Sequence, residues 1–460
     1  MKGAILASRN KIIFVVVFLP FFIICQNSFS QNPPPEADLT LPDAILIAFQ
    51  NNKDIQMQEA EITVAGANIE GAISPFLPQI NLQAAYTHND KVLAENIFSG
   101  YNNDNLAKIA FSESIYSGGA NMANLKQAKL SLDVQKETLR AKKMDVEFEA
   151  KRLYYGLLLA YETQRIARDA LNQAIAHYDN VKRMYKHGTA SRFDLLQSGV
   201  QVSLLEPNVV RAGNEIESLK ADLNKLLARK LDFPVAIKEK LSYAFIGINE
   251  NEFLRTAYLM RPEIKLKSLG IDIDRWAIQM AKSGYRPTVD FLGSVSYRSN
   301  NPGNMFGRKQ RNWNAGISVN IPIFEGFSTK AKVEAARARY AQAKIDKDNL
   351  VDAIAVEVRK ACLSLKEAAS IIQSQKSNVQ EAKEALRIAE VSYQNGVAIN
   401  LDVLDSQVSL AEIQMNLASG IYDYLMARAY LDRSIGKTVL PASSLGGPGS
   451  NQGEKNGKKA

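Results

Sequence analysis

Cysteine is almost missing from this chain. Its 460 residues include only Cys25 and Cys362. A disulfide framework is therefore excluded, and Cys362, inside a long helical run, reads as an inert interior thiol. Histidine is nearly as scarce: His88, His177 and His187 lie in unrelated contexts, and no paired Cys or His ligands occur. His177 and His187 are expected at solvated helix positions. No Walker loop or nucleotide-binding glycine fingerprint is present. Gly446-Gly447-Pro448-Gly449 has no strand before it and no helix after it. These absences leave a catalytic site, a bound metal and a cofactor without support, so the chain reads as no enzyme. The net charge of +8 is not gathered into a patch, because Lys and Arg alternate with Asp and Glu. That is the signature of solvated helix faces and not of nucleic-acid binding.

Beyond the N-terminus no apolar run reaches the length of a transmembrane helix. This does not exclude a membrane protein, because transmembrane strands need only about ten alternating residues. The N-terminus itself has the layout of a signal peptide over residues 1–30. Lys2, Arg9 and Lys11 precede the apolar run Ile12 to Ile24, and Ser28-Phe29-Ser30 precedes Gln31. The apolar core is short for an uncleaved anchor. Lipidation of Cys25 is disfavoured because Ile24, directly before it, is not small.

The chain is internally duplicated at a constant offset of 208. Ile115-Tyr116-Ser117-Gly118 aligns with Ile323-Phe324-Glu325-Gly326, and Tyr185-Lys186-His187-Gly188 with Tyr393-Gln394-Asn395-Gly396. Phe193-Asp194-Leu195-Leu196 aligns with Leu401-Asp402-Val403-Leu404. Leu77-Pro78-Gln79-Ile80 meets Arg286-Pro287-Thr288-Val289 with one residue of slippage. Two copies of one layout are too few for a solenoid. The first copy spans 31–231 and the second 261–436, with a linker over 232–260 and a Gly-, Ser- and Lys-rich tail over 437–460 that reads as disordered. In the first copy a helix is expected from Pro42 to about Ser74, strands over Asn81 to His88 and Ala107 to Ile115, a long helix from Gly119 to Lys186, and a second from Ser191 to about Leu231.

From Gly119 to Lys186 no proline occurs. At 1.5 Å per residue that helix is about 100 Å long, too long for a compact globule. Leu125, Leu132, Leu139, Val146, Leu153, Ala160, Ala167, Ala174 and Val181 recur every seven residues and mark a left-handed seam. The companion row is poorer, with Gln135, Lys142 and Glu149. A sheet of helices, each touching two neighbours, suits this better than a two-stranded coiled coil. Pro207 should interrupt and kink the shorter helix; the second copy has Met415 there.

In the third strand Val289, Phe291, Gly293, Val295 and Tyr297 alternate with Thr288, Asp290, Leu292, Ser294 and Ser296. In the fourth, Trp313, Ala315, Ile317, Val319 and Ile321 alternate with Asn312, Asn314, Gly316, Ser318 and Asn320. The first strand sets Ile80, Leu82, Ala84 and Tyr86 against Asn81, Gln83 and Thr87. Tyr86, Phe291, Tyr297 and Trp313 are then lipid-facing, with water on the other side. Alternation alone leaves a half-buried soluble sheet equally open; the signal peptide and the long helices favour the membrane. Four strands cannot close a barrel, and open edges are not tolerated in lipid. Two, three or four copies would close one, and three is the smallest number that leaves a pore.

With these features in place, the chain resembles the TolC family of outer-membrane efflux proteins. The resemblance runs from Leu39 to about Gly436 and rests on Leu39-Thr40-Leu41-Pro42-Asp43-Ala44, Phe76-Leu77-Pro78-Gln79-Ile80, Ile323-Phe324-Glu325-Gly326-Phe327 and Tyr393-Gln394-Asn395-Gly396 followed by Leu401-Asp402-Val403-Leu404-Asp405. It implies a mainly α, mixed fold: a homotrimer with a 12-stranded β-barrel in the outer membrane and an α-barrel through the periplasm. It implies an exit duct for tripartite efflux or type I secretion. The partners would be a periplasmic adaptor (membrane fusion) protein and an inner-membrane RND or ABC transporter. Tyr185, Gly188, Asn395 and Gly396 would form the adaptor-contacting tips. Asp402 and Asp405 would line the pore constriction, with Asp194 and Tyr393 in the closing network. Where the family has an arginine, this chain has Ala398. Asp402 equally fits a plain helix cap. The rival reading is a periplasmic coiled-coil scaffold or adaptor without a pore of its own.

Overall fold

The computed structural model describes residues 39–88 and 103–438. The expected signal segment with Cys25, residues 89–102 and nearly all of the expected tail lie outside the described residues.

Each half has the same order of helices and strands, and the corresponding helices have the same lengths. Helices α1 (Leu41–Asn51) and α2 (Lys53–Ile73) lead into strands β1 (Gln79–His88) and β2 (Asn103–Ser117), then α3 (Ala120–Lys186) and α4 (Arg192–Leu226). The second half has α5 (Glu250–Met260), α6 (Pro262–Lys282), β3 (Thr288–Ser299), β4 (Arg311–Asn320), α7 (Ser328–Gln394) and α8 (Asn400–Ser434). The two long helices each contain 67 residues and the two shorter ones 35.

Three expectations are corrected. The expected helix from Pro42 to Ser74 breaks at Asn52. The Asn52 backbone N–H ends α1 on Ala48 O, while its Oδ1 accepts from the N–H groups of Asp54 and Ile55 and starts α2. Its Nδ2 donates to Leu226 O at 3.0 Å, so one buried residue fastens both helices to the end of α4. The linker also contains α5, the counterpart of α1, and α4 ends at Leu226. Finally, α4 is continuous through Pro207. Pro207 and Ser203 are both exposed, so the carbonyl freed by the missing N–H faces water and the interruption is tolerated.

The helices form one layer four columns wide. Nearer the sheet the order is α2, α3, α6, α7; nearer the opposite end it is α4, α3, α8, α7. The two long helices run through, and the other columns are stacked pairs. Val146, Leu153, Ala160, Ala174 and Val181 of the expected seam are buried, and the rest of it is half-buried. The poorer companion row finds polar neighbours: Gln58 donates to Gln135, Lys142 pairs with Asp54 at 3.3 Å, and Glu149 pairs with Arg152. Three apolar clusters tie the layer together. One lies around Tyr154 and Leu157, one around Val358 and Tyr424, and one at the far end around Val181, Tyr393 and Val403. Cys362 lies within the second, and burial pushes its thiol pKa up.

Candidate functional site

The residues singled out in the sequence fall in two regions: the sheet, and the end of the helical layer farthest from it.

The sheet has the order β1-β2-β3-β4, antiparallel throughout. Its register aligns the apolar positions of all four strands. Leu82, Ile109, Val295 and Trp313 lie in one row, and Ile80, Phe111, Gly293 and Ala315 in the next. The opposite face holds the rows Gln83, Lys108, Ser296, Asn312 and Asn81, Ala110, Ser294, Asn314. The expected alternation thus extends across these rows, with Glu113, opposite Phe291, interrupting the apolar face. A bulge at Ile115 keeps Tyr116 opposite Val289, on the apolar side. Leu82, Tyr86 and Trp313 are 75%, 64% and 67% exposed. Phe291 and Tyr297 are half-buried, held edge-to-face by Phe111 and Phe306. Tyr86, Tyr297 and Trp313 gather towards the same end of the sheet. Both outer strands, β1 and β4, have a free edge. Among the described residues no helix is long and apolar enough to cross a membrane.

At the far end, the turns after α3 and α7 repeat each other. Gly188 and Gly396 take φ of +75° and +73°, where a Cβ would be strained. Thr189 N–H reaches back to Met184 O, and Val397 N–H to Ser392 O, each at 2.9 Å. Tyr185, Gly188, Asn395 and Gly396 are all exposed there. Helix α4 opens on a capping box, in which Ser191 Oγ accepts from Asp194 N–H and Asp194 Oδ2 accepts from Ser191 N–H. Helix α8 keeps only half of that device. Ile399 has no side-chain acceptor, but Asp402 Oδ2 accepts from Ile399 N–H at 3.0 Å. Asp402 is therefore a helix cap in this structure. Its carboxylate and that of Asp405 are also exposed, three positions apart on one face of α8.

Tyr393 is buried, and its hydroxyl has no hydrogen-bond partner among the described residues. Burial, and then the charge of nearby Asp194, raise its pKa. Ala398 sits half-buried against the apolar cluster around Tyr393, so no guanidinium joins the two.

The expectation that His177 is solvated is corrected. His177 is 7% exposed, and its ring lies 5.4 Å from that of Tyr393. Its Nε2 is 2.7 Å from Oδ1 of Asn400, the first residue of α8. The Nδ2 of Asn400 donates to Gln197 Oε1 on α4 at 2.9 Å, so its oxygen is left to accept from His177. One chain of hydrogen bonds, buried at His177 and Asn400 and half-buried at Gln197, thus links α3, α8 and α4. Sequence reasoning missed it, although a signal was present: continued at sevens from Glu149, the poor companion row of α3 arrives at His177. Among the described residues no group of three or more His, Cys, Asp or Glu is placed to hold a metal ion.

Comparison with known proteins fits this geometry. The family described as outer membrane efflux protein matches residues 44–229 and 254–437. Outer membrane protein TolC of Vibrio cholerae is 22% identical over 405 residues, covering 85% of this chain and 89% of that protein. Alkaline protease secretion protein AprF of Pseudomonas aeruginosa is 21% identical over 308 residues, 64% of this chain; the match spans 62% of that relative's length. The crystal structure of the CmeC outer membrane channel of Campylobacter jejuni superposes with a TM-score of 0.75 at 17% identity, covering 91% of this chain and 93% of that one. The chain belongs to the outer membrane efflux protein family, and is an outer-membrane channel protein whose long helices extend into the periplasm.

Proposed function

We propose that three copies of this chain close into one export duct. The observation that carries the reading is the pair of open edges on both layers. The sheet has free edges at β1 and β4 and an apolar face across all four strands. The helical layer ends at the α2/α4 column on one side and at α7 on the other, and both ends expose apolar side chains. Unpaired strand edges are not tolerated in hydrocarbon, so the sheet must be continued by other copies until it closes. Three copies give twelve strands, enough to leave an aqueous lumen lined by the polar rows around Gln83 and Asn314. The first 30 residues direct export of the chain.

The tip turns at Gly188 and Gly396 meet a periplasmic adaptor, which couples the duct to an inner-membrane pump. Asp402 and Asp405 surround the entrance, where rings of carboxylates favour cations. Detergent extraction followed by gel migration with and without heating, and by planar-bilayer recording, tests the duct. A heat-modifiable trimer that conducts is expected. Recovery as a monomer in the soluble periplasmic fraction overturns the reading.

A further inference from the structure

The duplication allows one contact that a single chain cannot display to be worked out. Within the chain, α3 packs on α8 and α8 approaches α4 at the tip. At the seam of the proposed trimer, the same duplication sets α7 beside α4 of the next copy. Helix α7 is the counterpart of α3, and α4 of α8. Residues that meet inside one chain therefore have counterparts that meet across the seam.

Inside the chain the contact runs from His177 to Asn400, and from Asn400 to Gln197 at 2.9 Å. Moved by 208 residues, His177 becomes Ala385, Asn400 becomes Arg192 and Gln197 becomes Asp405. The bulky ring is replaced by a methyl group, which leaves room for a longer side chain at the Asn400 counterpart. The amide–amide bond is replaced by a guanidinium and a carboxylate. Arg192 and Asp405 are both exposed, and neither has an ion-pair partner among the described residues. Such a pair of opposite charges, idle in one chain and equivalent to a bonded pair, is what a seam contact requires.

We infer that Arg192 of one copy pairs with Asp405 of the next, so that three such pairs hold the duct's tip closed. This rests on the proposed trimer. It places the arginine on α4, where family resemblance leads one to look for it at position 398 and finds Ala398. It also makes the two kinds of contact around the tip chemically different: imidazole and amide hydrogen bonds within the chain, and an ion pair, which salt weakens, across the seam.

Charge reversal in the full-length protein tests the pair. Arg192→Glu and Asp405→Arg, singly, should each raise basal conductance in planar bilayers, by roughly tenfold with all three seams affected. The double variant Arg192→Glu/Asp405→Arg should return towards the parent value. Unchanged conductance in the singles, or a double variant at least as leaky as either single, overturns the pairing. A second measurement does not depend on conductance: Arg192→Cys/Asp405→Cys in a Cys362→Ala background should give covalently linked dimers and trimers on oxidation. Monomers alone in an otherwise intact trimer overturn the proximity. If the parent protein itself forms no trimer and no pore, the failure lies with the proposed duct and not with the pair.

Discussion

Asp402 holds two roles that substitution can separate. Its carboxylate accepts from Ile399 N–H at 3.0 Å, closing the first turn of α8. It is also exposed at the tip, where three copies would set three such charges around the entrance. Loss of a cap of this kind costs about 1 kcal/mol. A carboxylate about 6 Å from a permeating monovalent ion contributes roughly 0.7 kcal/mol at the dielectric constant of water, so three contribute roughly 2 kcal/mol before salt screening. Asp402→Asn keeps an oxygen that can accept from Ile399 and removes only the charge. It should cut cation-over-anion preference, read as a shift in reversal potential across a salt gradient, and leave exchange of the Ile399 amide nearly unchanged. Asp402→Ala should do both: shift the reversal potential equally and speed exchange at Ile399 by roughly fivefold, the equivalent of about 1 kcal/mol. If Asp402→Asn conducts with the parent's reversal potential, the charge does not face the pathway. If Asp402→Ala leaves amide exchange alone, the cap contributes nothing.

Two further outcomes concern the middle of the helical layer. Tyr424 is 1% exposed; its hydroxyl donates to Ala244 O at 3.2 Å and accepts from Ile246 N–H at 3.0 Å. Tyr424→Phe keeps the ring contacts with Tyr243 and Phe245 and strands two backbone groups. A loss of about 2 kcal/mol is expected from denaturant melting. Arg261, itself buried, holds Glu263 at 3.0 Å and Glu357 at 2.5 Å. Burial alone would raise the Glu263 carboxyl, but the hydrogen bonds and charge of Arg261 outweigh it and hold it below its usual value. A carboxyl whose pKa is lowered by folding stabilises the fold above its unfolded value, and that contribution is lost as pH falls through the folded one. Thermal stability measured from pH 7 down to 3 should therefore fall below about pH 4.5, and Glu263→Gln should flatten that fall.

Much of this architecture is legible in the sequence, for physical reasons that can be named. A long stretch without proline and with apolar residues every seven positions can only be a long helix in a layer. Alternation separates an apolar from a polar strand face, and because it has period two the pairing register carries it from strand to strand; only the signal peptide and the long helices favour lipid over a soluble core for the apolar face. Asn52 escapes because helical periodicity continues through it, and the break depends on a side chain reaching Leu226 far along the chain. Pro207 misleads because its cost depends on exposure, which no local pattern reports. His177 escapes because Asn400 lies 223 residues away. At the tip, Asp402 and Asp405 are legible as an exposed acidic pair, whereas the counterpart of the missing arginine emerges only once the duplication is laid over the observed contacts.

The open edges permit a last test. On α4, Phe193, Val200 and Leu204 lie on one face and are 72%, 58% and 62% exposed. On α7, Ile345, Val356, Leu363 and Ile388 lie on one face and are 52% exposed or more. Two such stripes at opposite ends of one layer, each without cover, are what repeated side-by-side packing of a single chain needs. Burying each apolar side chain contributes about 1.5–3 kcal/mol. Leu363→Glu removes one such contribution and sets a charge in the seam. Val200→Glu does the same from the other side. Either should turn a detergent-stable trimer into monomer or a heat-labile assembly on size exclusion with light scattering. Ser364→Glu, exposed but a quarter-turn away on the same helix, should not. Trimers of parental stability in both seam variants would exclude α4 and α7 as the joining surfaces. The sheet raises the stakes of each joint. A copy that fails to join at its helices still carries the unpaired edges of β1 and β4, which hydrocarbon does not accept. Closure of the two layers is therefore one event, and a defect in the periplasmic seam should be read out as loss of the membrane-inserted form.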